Sequence, residues 1–143
     1  MDWWHVRPAL PGDIAAIKRI AYQYRAELGF VNRAALFEAA GRRELYVCEL
    51  PDGEIGGFVN WHARRDGWHT IYEIATAQEY AGCGIGRALL YSVPTPTRLK
   101  CTTDNDRANR FYEAAGMTLT RTEQGKKRML NVWERETAYP AGV

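Results

Sequence analysis

Alternating apolar and polar residues, together with short runs of mostly apolar residues, divide this chain into segments typical of β-strands. Some of these segments are separated by clear turn signals. In Pro51-Asp52-Gly53, for example, proline presets one backbone torsion and glycine permits the other. The predicted strands cover residues 3–9, 44–50, 54–63, 68–77, 97–102, 117–123 and 127–134.

Helical spacing of apolar residues marks several of the segments between these strands. An amphipathic helix is predicted over 12–28, ending near Gly29, from the positions of Ile14, Ile17, Ala21, Tyr24 and Leu28. Further helices are predicted over 32–40, 86–93 and 104–116. The element order β-α-α-β-β-β-α-β-α-β-β predicts an α/β protein with one mixed sheet of about seven strands and about four helices on its faces.

The composition is that of an ordinary globular domain. The 143 residues fit a single domain over 1–143, in which 135–143 lacks periodicity and is expected to be a disordered tail. Hydrophobic residues make up 46% and charged residues 25%, which excludes a disordered class. No apolar run approaches the roughly 20 residues needed to cross a bilayer, and the start "MDWWHVRPAL" does not resemble a secretory signal. We expect no membrane partner.

Cysteine usage and charge narrow the classes further. The chain has an odd number of cysteines, and they form no CxxC pair: Cys48, Cys83 and Cys101. A reduced, cytoplasmic protein without a metal is therefore expected. The formal net charge of +2 leaves nucleic acid open as a partner but does not by itself support it. A homodimer is also left open.

Three glycines at alternate positions, Gly82, Gly84 and Gly86, stand between the predicted strand 68–77 and the following helix. Backbone N–H groups in such a turn, with the positive end of the helix, form an anion site, and Arg87 in the first turn can pair with a phosphate. A Rossmann fingerprint would need glycine at position 87, and a P-loop would need Gly-Lys-Ser/Thr. The alternative is a tight strand–helix turn, for which one glycine would suffice.

Three stretches resemble the GNAT superfamily of N-acetyltransferases. "EIATAQEYAGCGIGRALL" resembles the family's motif A at the end of its fourth strand. "VRPALPGDIAAI" is similar to its first strand and helix start, and "NDRANRFYEAAGM" to its Asn-x-x-Ala-x-x-Phe-Tyr helix. The resemblance covers roughly residues 3–134. It implies the acyl-CoA N-acyltransferase fold, with a mostly antiparallel sheet, and acetyl-CoA (coenzyme A) as the acyl donor.

The resemblance also implies site residues. The cofactor pyrophosphate would lie on the backbone amides of Gly82, Cys83, Gly84, Ile85, Gly86 and Arg87. The pantetheine arm would pair with the strand backbone at Ile74, Ala75 and Thr76, and Asn105 and Asn109 would touch the cofactor arm. The chain departs from the family pattern at Ala81, which replaces a Gln or Arg, and at Cys83, where a basic residue is common. Both departures leave open a weaker donor site or another acyl donor.

Two residues are the catalytic candidates. The resemblance implies that Tyr112 is the general acid near the sulphur; the alternative is a core aromatic residue. Glu73 lies in the otherwise apolar "TIYEIAT", where partial desolvation would raise its pKa towards that of a useful base. Glu73 could instead bind a cationic substrate or satisfy a nearby donor. His62 and His69 are alternative bases, although both flank a hairpin turn.

The predicted function is transfer of an acetyl group from acetyl-CoA to a primary amine by direct attack in a ternary complex. Two alternatives stay open: a GNAT-like enzyme that modifies nucleic acid or aminoacyl-tRNA, and a non-catalytic acyl-CoA-binding module. A basic surface joining Arg64 and Arg65 with the run 126–128 would favour nucleic acid. In the family the first two helices line the acceptor cleft, so some of the aromatic residues there are expected to face the acceptor. These are Tyr22, Tyr24, Phe30 and Phe37.

Overall fold

The computed structural model describes residues 3–139, in which seven β-strands and five α-helices are found. The strands are β1 (His5–Pro8), β2 (Leu45–Glu49), β3 (Ile55–Ala63), β4 (His69–Thr76), β5 (Thr97–Thr102), β6 (Thr118–Gln124) and β7 (Met129–Arg135). The helices are α1 (Ile14–Gln23), α2 (Arg25–Leu28), α3 (Arg33–Gly41), α4 (Ile85–Ser92) and α5 (Asp106–Ala114). Short 3₁₀ turns lie at Pro11–Asp13 and Gln78–Tyr80.

The strands form one sheet in the order β1-β2-β3-β4-β5-β7-β6. β2 pairs antiparallel with β1 and β3, and β7 pairs antiparallel with β5 and β6. β4 and β5 pair in parallel, in a register that runs from His69↔Thr97 to Ile71↔Leu99. The predicted single-domain α/β class with a mostly antiparallel sheet is therefore confirmed.

The backbone forms two compact units. The first contains the residues up to 62 together with 73–92, and the second contains 63–72 together with the residues from 93 onward. In the first unit, the core is made by side chains of α1, α3, β2 and β3 that are fully buried: Ile14, Ile17, Leu36, Leu45, Val47 and Phe58. In the second unit, Leu99, Met117, Val132 and Trp133 are buried. Burial of this apolar surface is the main favourable term in folding.

The predicted continuous helix over 12–28 is wrong, because the helix breaks at Tyr24. Tyr24 has φ −117° and ψ 29°, outside the helical region, and it separates α1 from the single turn α2. Its hydroxyl donates a hydrogen bond of 2.5 Å to the carbonyl of Thr76 at the end of β4. A long-range contact of this kind overrides local helical periodicity, since propensity is a weak prior.

Both ends of the described chain differ from the prediction. β1 is shorter than the predicted strand 3–9, and the rings of Trp3 and Trp4 before it pack edge to face at 5.0 Å. β7 ends at Arg135, whose guanidinium donates to the carbonyls of Thr137 and Ala138. The rest of the predicted tail, 140–143, lies outside the described residues. Among residues 3–139, no helix has the length and apolar character needed to cross a membrane.

Candidate active site

Glu73 lies on β4 in the first unit and is partly buried. Its Oε1 accepts a hydrogen bond of 2.8 Å from Nδ2 of Asn60, a buried residue on β3. Asn60 was not among the predicted site residues, although a polar residue inside the apolar stretch "GGFVNWH" is the same kind of signal that singles out Glu73. Asn60 fixes one carboxylate oxygen and thereby orients the other.

Burial changes the acidity of this carboxylate. Desolvation raises the pKa of Glu73 above its ordinary value of 4.5, while the hydrogen bond from Asn60 lowers it in part. The net direction is upward, because burial disfavours the charged form more than one neutral donor favours it. A carboxylate with a raised pKa is a stronger base than an exposed one.

The two histidines that were alternative bases are both engaged in hydrogen bonds. Nδ1 of His62 on β3 lies 2.7 Å from Oε1 of Glu44, a buried carboxylate that Arg42 also contacts at 2.8 Å. His69 lies in the second unit, where its Nδ1 is 3.0 Å from the carbonyl of Pro96. His62 therefore belongs to a separate hydrogen-bonded cluster with Glu44 and Arg42.

The glycine turn follows β4 and the short 3₁₀ turn. Gly82 and Gly84 have φ values of +83° and +94°, which residues with a side chain adopt only under strain. Residues 81–84 are exposed, and α4 begins directly after them at Ile85. The amide of Ala88 donates to the carbonyl of Gly84 at 3.1 Å, and that of Cys83 to the carbonyl of Tyr80 at 3.4 Å. A helix start of this kind directs its first-turn amides towards an anion.

Two further glycines bring α4 close to the sheet. A Cβ built on Gly57 of β3 would lie 2.9 Å from the carbonyl oxygen of Ala75 and 2.9 Å from Cδ1 of Leu89. Real Cβ atoms essentially never approach that closely, so only glycine fits here. The dipeptide Gly56-Gly57 therefore positions both β4 and α4, and with them the glycine turn. Neither glycine of this pair was among the predicted site residues.

Along β4, the backbone N–H and C=O groups of successive residues alternate between facing β3 and facing away from it. The amide of Ala77 bonds to the carbonyl of Gly56 on β3 at 2.8 Å. Because successive residues of a strand direct their backbone groups to opposite edges, Ala75 also faces β3, whereas Ile74 and Thr76 face away from it. The Thr76 carbonyl accepts the hydrogen bond from Tyr24.

Trp4 covers one side of the glycine turn. Its Cη2 atom lies 3.6 Å from the position that a Cβ would take at Gly84. Trp4 is 80 residues before Gly84 in the sequence and was not among the predicted site residues. An indole within contact distance makes its fluorescence sensitive to whatever binds at Gly84.

Tyr112 lies on α5 in the second unit and is 8% exposed. Its ring packs against Phe111 at 5.3 Å and Trp133 at 6.2 Å between centroids. Burial, with a smaller part from the charge of Cys101, raises the pKa of Tyr112 above its ordinary value of 10.0. Tyr112 is therefore a buried aromatic residue that also stays protonated at neutral pH.

The two asparagines of α5 hold the helix in place. Oδ1 of Asn105 caps the helix by accepting from the Ala108 amide at 3.2 Å. Nδ2 of Asn109 donates to the carbonyls of Thr102 and Asn105, and its Oδ1 accepts from Trp133 Nε1 at 2.8 Å and from Asn131 at 3.1 Å. Four hydrogen bonds use the full capacity of the Asn109 side-chain amide within its own unit.

The first unit thus contains Glu73, the β4 positions 74–76 and the glycine turn 82–87. The second unit carries Asn105, Asn109 and Tyr112. Within residues 3–139, no group of three or more His, Cys, Asp or Glu side chains is arranged to hold a metal ion, and all three cysteines are free thiols. Cys101 is buried, and desolvation, aided by the charge of Asp104, raises its pKa to about 11.

Comparison with known proteins shows the family of this chain. The family model described as "Acetyltransferase (GNAT) domain" matches residues 41–116, more than half of the chain. The matched region includes Glu73, the glycine turn and Tyr112. The 5-NmdU N-acetyltransferase of Pseudomonas phage PaMx11 is 30% identical over 122 residues, which cover 80% of this chain and 86% of the phage protein.

Solved structures share the fold at lower identity. Ard1 from Thermoplasma volcanium superposes with a TM-score of 0.80 at 22% identity, covering 94% of this chain and 97% of that one. The structure of yncA from Salmonella typhimurium with its cofactor acetyl-CoA has a TM-score of 0.73 at 17% identity, covering 99% and 98%. The family model and the phage relative together establish that this chain belongs to the GNAT acetyltransferases and is an acyltransferase.

Proposed function

We propose that this enzyme transfers an acetyl group from acetyl-CoA to a primary amine on a nucleotide-type acceptor, by direct attack in a ternary complex. The acceptor class rests on one observation, the 30% identity over 122 residues with a phage enzyme named for acetylating 5-NmdU. The relative and this chain match over most of both lengths, so the similarity extends well beyond motif A.

The donor would be held by the glycine turn and by β4. Exposed residues 81–84, two glycines with positive φ and the first amides of α4 form a cradle suited to a pyrophosphate. Exposed Arg87 adds a positive charge in the first turn of α4. The pantetheine arm would pair with the amide and carbonyl of Ile74 and the amide of Thr76, because these groups face away from β3. Ala81 lacks the side chain that would otherwise add a phosphate contact.

Glu73 is the proposed base. An amine attacks the thioester carbonyl only as the neutral form, so its proton must leave before or during attack. The raised pKa of Glu73 favours uptake of that proton, directly or through one water. The hydrogen bond from Asn60 to Oε1 leaves Oε2 as the atom that would accept the proton.

Tyr112 is the proposed acid. As the new C–N bond forms and the C–S bond breaks, negative charge develops on the leaving sulphur of coenzyme A. The Tyr112 hydroxyl would donate to that sulphur and supply the proton that completes the thiol. A raised pKa keeps Tyr112 in the donor form at every pH at which the enzyme is expected to work.

An acceptor screen tests the function as a whole. Release of the free coenzyme A thiol would be followed with 5-NmdU as the nucleoside, an oligodeoxynucleotide containing 5-NmdU, the unmodified oligodeoxynucleotide, and short peptides with free N-terminal amines. We expect turnover with the 5-NmdU substrates and none above background with the unmodified oligonucleotide. Turnover of the peptides without turnover of either 5-NmdU substrate would overturn the proposed acceptor.

Replacing Gly84 with valine tests the donor cradle. The side chain would strain a backbone with φ +94°, meet Trp4 and block close approach of the pyrophosphate. Losing one or two charge-assisted hydrogen bonds is expected to weaken acetyl-CoA binding by about 10- to 100-fold. Calorimetry, with Trp fluorescence as a second signal, measures the affinity.

Gly67→Val is the matched control for backbone strain. Gly67 has φ +92° in a turn of the second unit, and a Cβ there would meet nothing within 4 Å. Gly67→Val should lower the Tm by about as much as Gly84→Val does, and it should leave the acetyl-CoA affinity unchanged. A folded Gly84→Val protein with wild-type affinity would exclude the glycine turn as the pyrophosphate site.

A further inference from the structure

A surface pocket of about 340 Å³ lies on the first two helices of the first unit. Pockets for small molecules typically span about 300–1,000 Å³, so this one has the size of a site for a single small ring system. It is lined by Lys18, Ala21, Tyr22, Arg25, Gly29, Phe30 and Val31.

The aromatic side chains of this pocket are unusually exposed. Phe30 is 85% and Tyr22 is 65% exposed. Each has a cation over its ring: Lys18 Nζ lies 4.6 Å from the Phe30 centroid, and the Arg25 guanidinium 4.2 Å from that of Tyr22. Aromatic rings that stay in contact with water add no apolar burial to the core and so do not stabilise the fold. Their grouping with cations suits a ligand that offers both a flat ring and negative charge.

A third pair of the same kind stands on the next helix. The Arg33 guanidinium lies 5.5 Å from the centroid of Phe37, which is 38% exposed. We call the six residues Lys18, Tyr22, Arg25, Phe30, Arg33 and Phe37 the cation–aromatic surface.

Charge is concentrated in the same segment. Residues 18–33 contain four cations and a single acid, Glu27, a net charge of +3, whereas the whole chain carries +2. The remainder of the chain is therefore slightly acidic in sum. A polyanion approaching the protein would be attracted to this segment more than to the average surface.

The chain segment that follows the pocket residue Tyr22 is hydrogen-bonded to the end of β4 within the first unit. Gln23 and Tyr24, which follow the pocket residue Tyr22, bind the end of β4 and the turn after it. Tyr24 donates to Thr76, Gln23 Oε1 accepts from the Gln78 amide at 3.0 Å, and Gln23 Nε2 donates to Glu79 at 2.9 Å. The end of α1, which contributes Tyr22 to the pocket, is thus attached to the strand that carries Glu73.

We propose that the cation–aromatic surface binds single-stranded DNA next to the nucleotide that is acetylated, which deepens the proposed function and rests on it. An unstacked base would stack on Phe30 or Tyr22, and Arg25 and Arg33 would bind the neighbouring phosphates. Single-stranded DNA is the occupant because a single exposed ring needs an unpaired base face, which a duplex does not offer. Neither the turn at 126–128 nor Arg64 and Arg65 is needed for this surface.

Binding of a fluorescein-labelled oligothymidylate, measured by anisotropy without acetyl-CoA, tests the proposal. Phe30→Ala is expected to weaken binding about tenfold, since stacking on one aromatic ring is worth about that factor or more. Arg25→Gln with Arg33→Gln should lower affinity and reduce the slope of log K against log salt by about 1.4, or about 0.7 per lost phosphate contact.

Two controls match these variants. Lys126→Gln with Lys127→Gln removes the same charge from the β6–β7 turn, and Tyr72→Ala removes a ring that is 49% exposed. Both should leave affinity and salt slope unchanged. Equal losses in the control and surface variants would overturn the proposal, because binding would then follow net charge alone. Absence of wild-type binding at low salt would also overturn it.

The acceptor screen separates this proposal from the proposed function. If the free 5-NmdU nucleoside is acetylated as efficiently as the 5-NmdU oligonucleotide, and Phe30→Ala does not change the KM for either, the DNA surface is wrong and the acceptor class stands. If oligothymidylate binds through Phe30 and Arg25 but no 5-NmdU substrate turns over, the surface stands and the acceptor assignment fails.

Discussion

Tyr112→Phe is expected to lower kcat by about 10²-fold and to leave acetyl-CoA affinity unchanged. General acid catalysis contributes at least about that factor, equal to about 2.7 kcal/mol of barrier. The substitution removes only a hydroxyl, so the ring contacts of Tyr112 with Phe111 and Trp133 are kept. Steady-state kinetics with a turned-over acceptor and calorimetry with acetyl-CoA measure the two quantities.

The pH dependence gives Tyr112 a second signature. Because its pKa is raised above 10.0, loss of its proton lies above pH 10, and wild-type kcat should show no alkaline decline from this group below about pH 10. The sulphur of a thiol has a pKa near 8.5, below that of Tyr112, so transfer of the tyrosine proton to the departing thiolate is uphill and is completed only when the tyrosinate regains a proton from solvent. Hydrogen-bond donation in the transition state is accordingly the larger part of its effect.

Tyr72→Phe is the matched control, since it removes a hydroxyl from an exposed tyrosine outside the proposed machinery. It should retain full kcat. A Tyr112→Phe enzyme with wild-type kcat would leave Tyr112 as a core aromatic residue, the alternative that its burial equally fits.

Features that depend only on residues close together in the sequence could be predicted from the sequence. The glycine turn was found because its spacing is short-range, and Glu73 because a carboxylate in an apolar strand stands out against its neighbours. The structure agrees with both local signals: Gly82 and Gly84 have positive φ values, and Glu73 is partly buried. The seven strands follow for the same reason, since alternation is a property of consecutive residues.

Contacts between distant segments could not be predicted in the same way. The break at Tyr24 depends on Thr76, 52 residues away, and the orientation of Glu73 depends on Asn60 across the sheet. Asn109 fits a cofactor-contact motif by sequence, yet its amide makes four hydrogen bonds to residues around α5 and β7. Strand register and loop closure decide such pairings, and a one-residue shift would reassign every one of them.

Glu73→Gln is expected to remove the acidic limb of the kcat/KM profile and to lower kcat/KM by about 10²-fold near neutral pH. The loss should shrink as the pH rises, because more of the acceptor amine is then already neutral. Gln keeps the size of the side chain and an oxygen that can accept from Asn60, so the change is confined to the proton-accepting group. If Glu73 only binds a cationic acceptor, KM would rise and kcat would stay nearly constant.

Stability provides an independent measurement of the same substitution. Burial raises the pKa of Glu73 above 4.5, so between 4.5 and that raised pKa the folded protein keeps a proton that the unfolded chain has lost. The free energy of unfolding therefore falls as the pH rises through this range, and the charged carboxylate costs stability at neutral pH. Glu73→Gln should accordingly raise the Tm near pH 7.5, and the gain should disappear below about pH 4.5.

Glu113→Gln, which removes the same charge from an exposed position on α5, controls for net charge. Retention of the acidic limb, together with a Tm difference that does not change with pH, would move the base role from Glu73 to His62 or to a water.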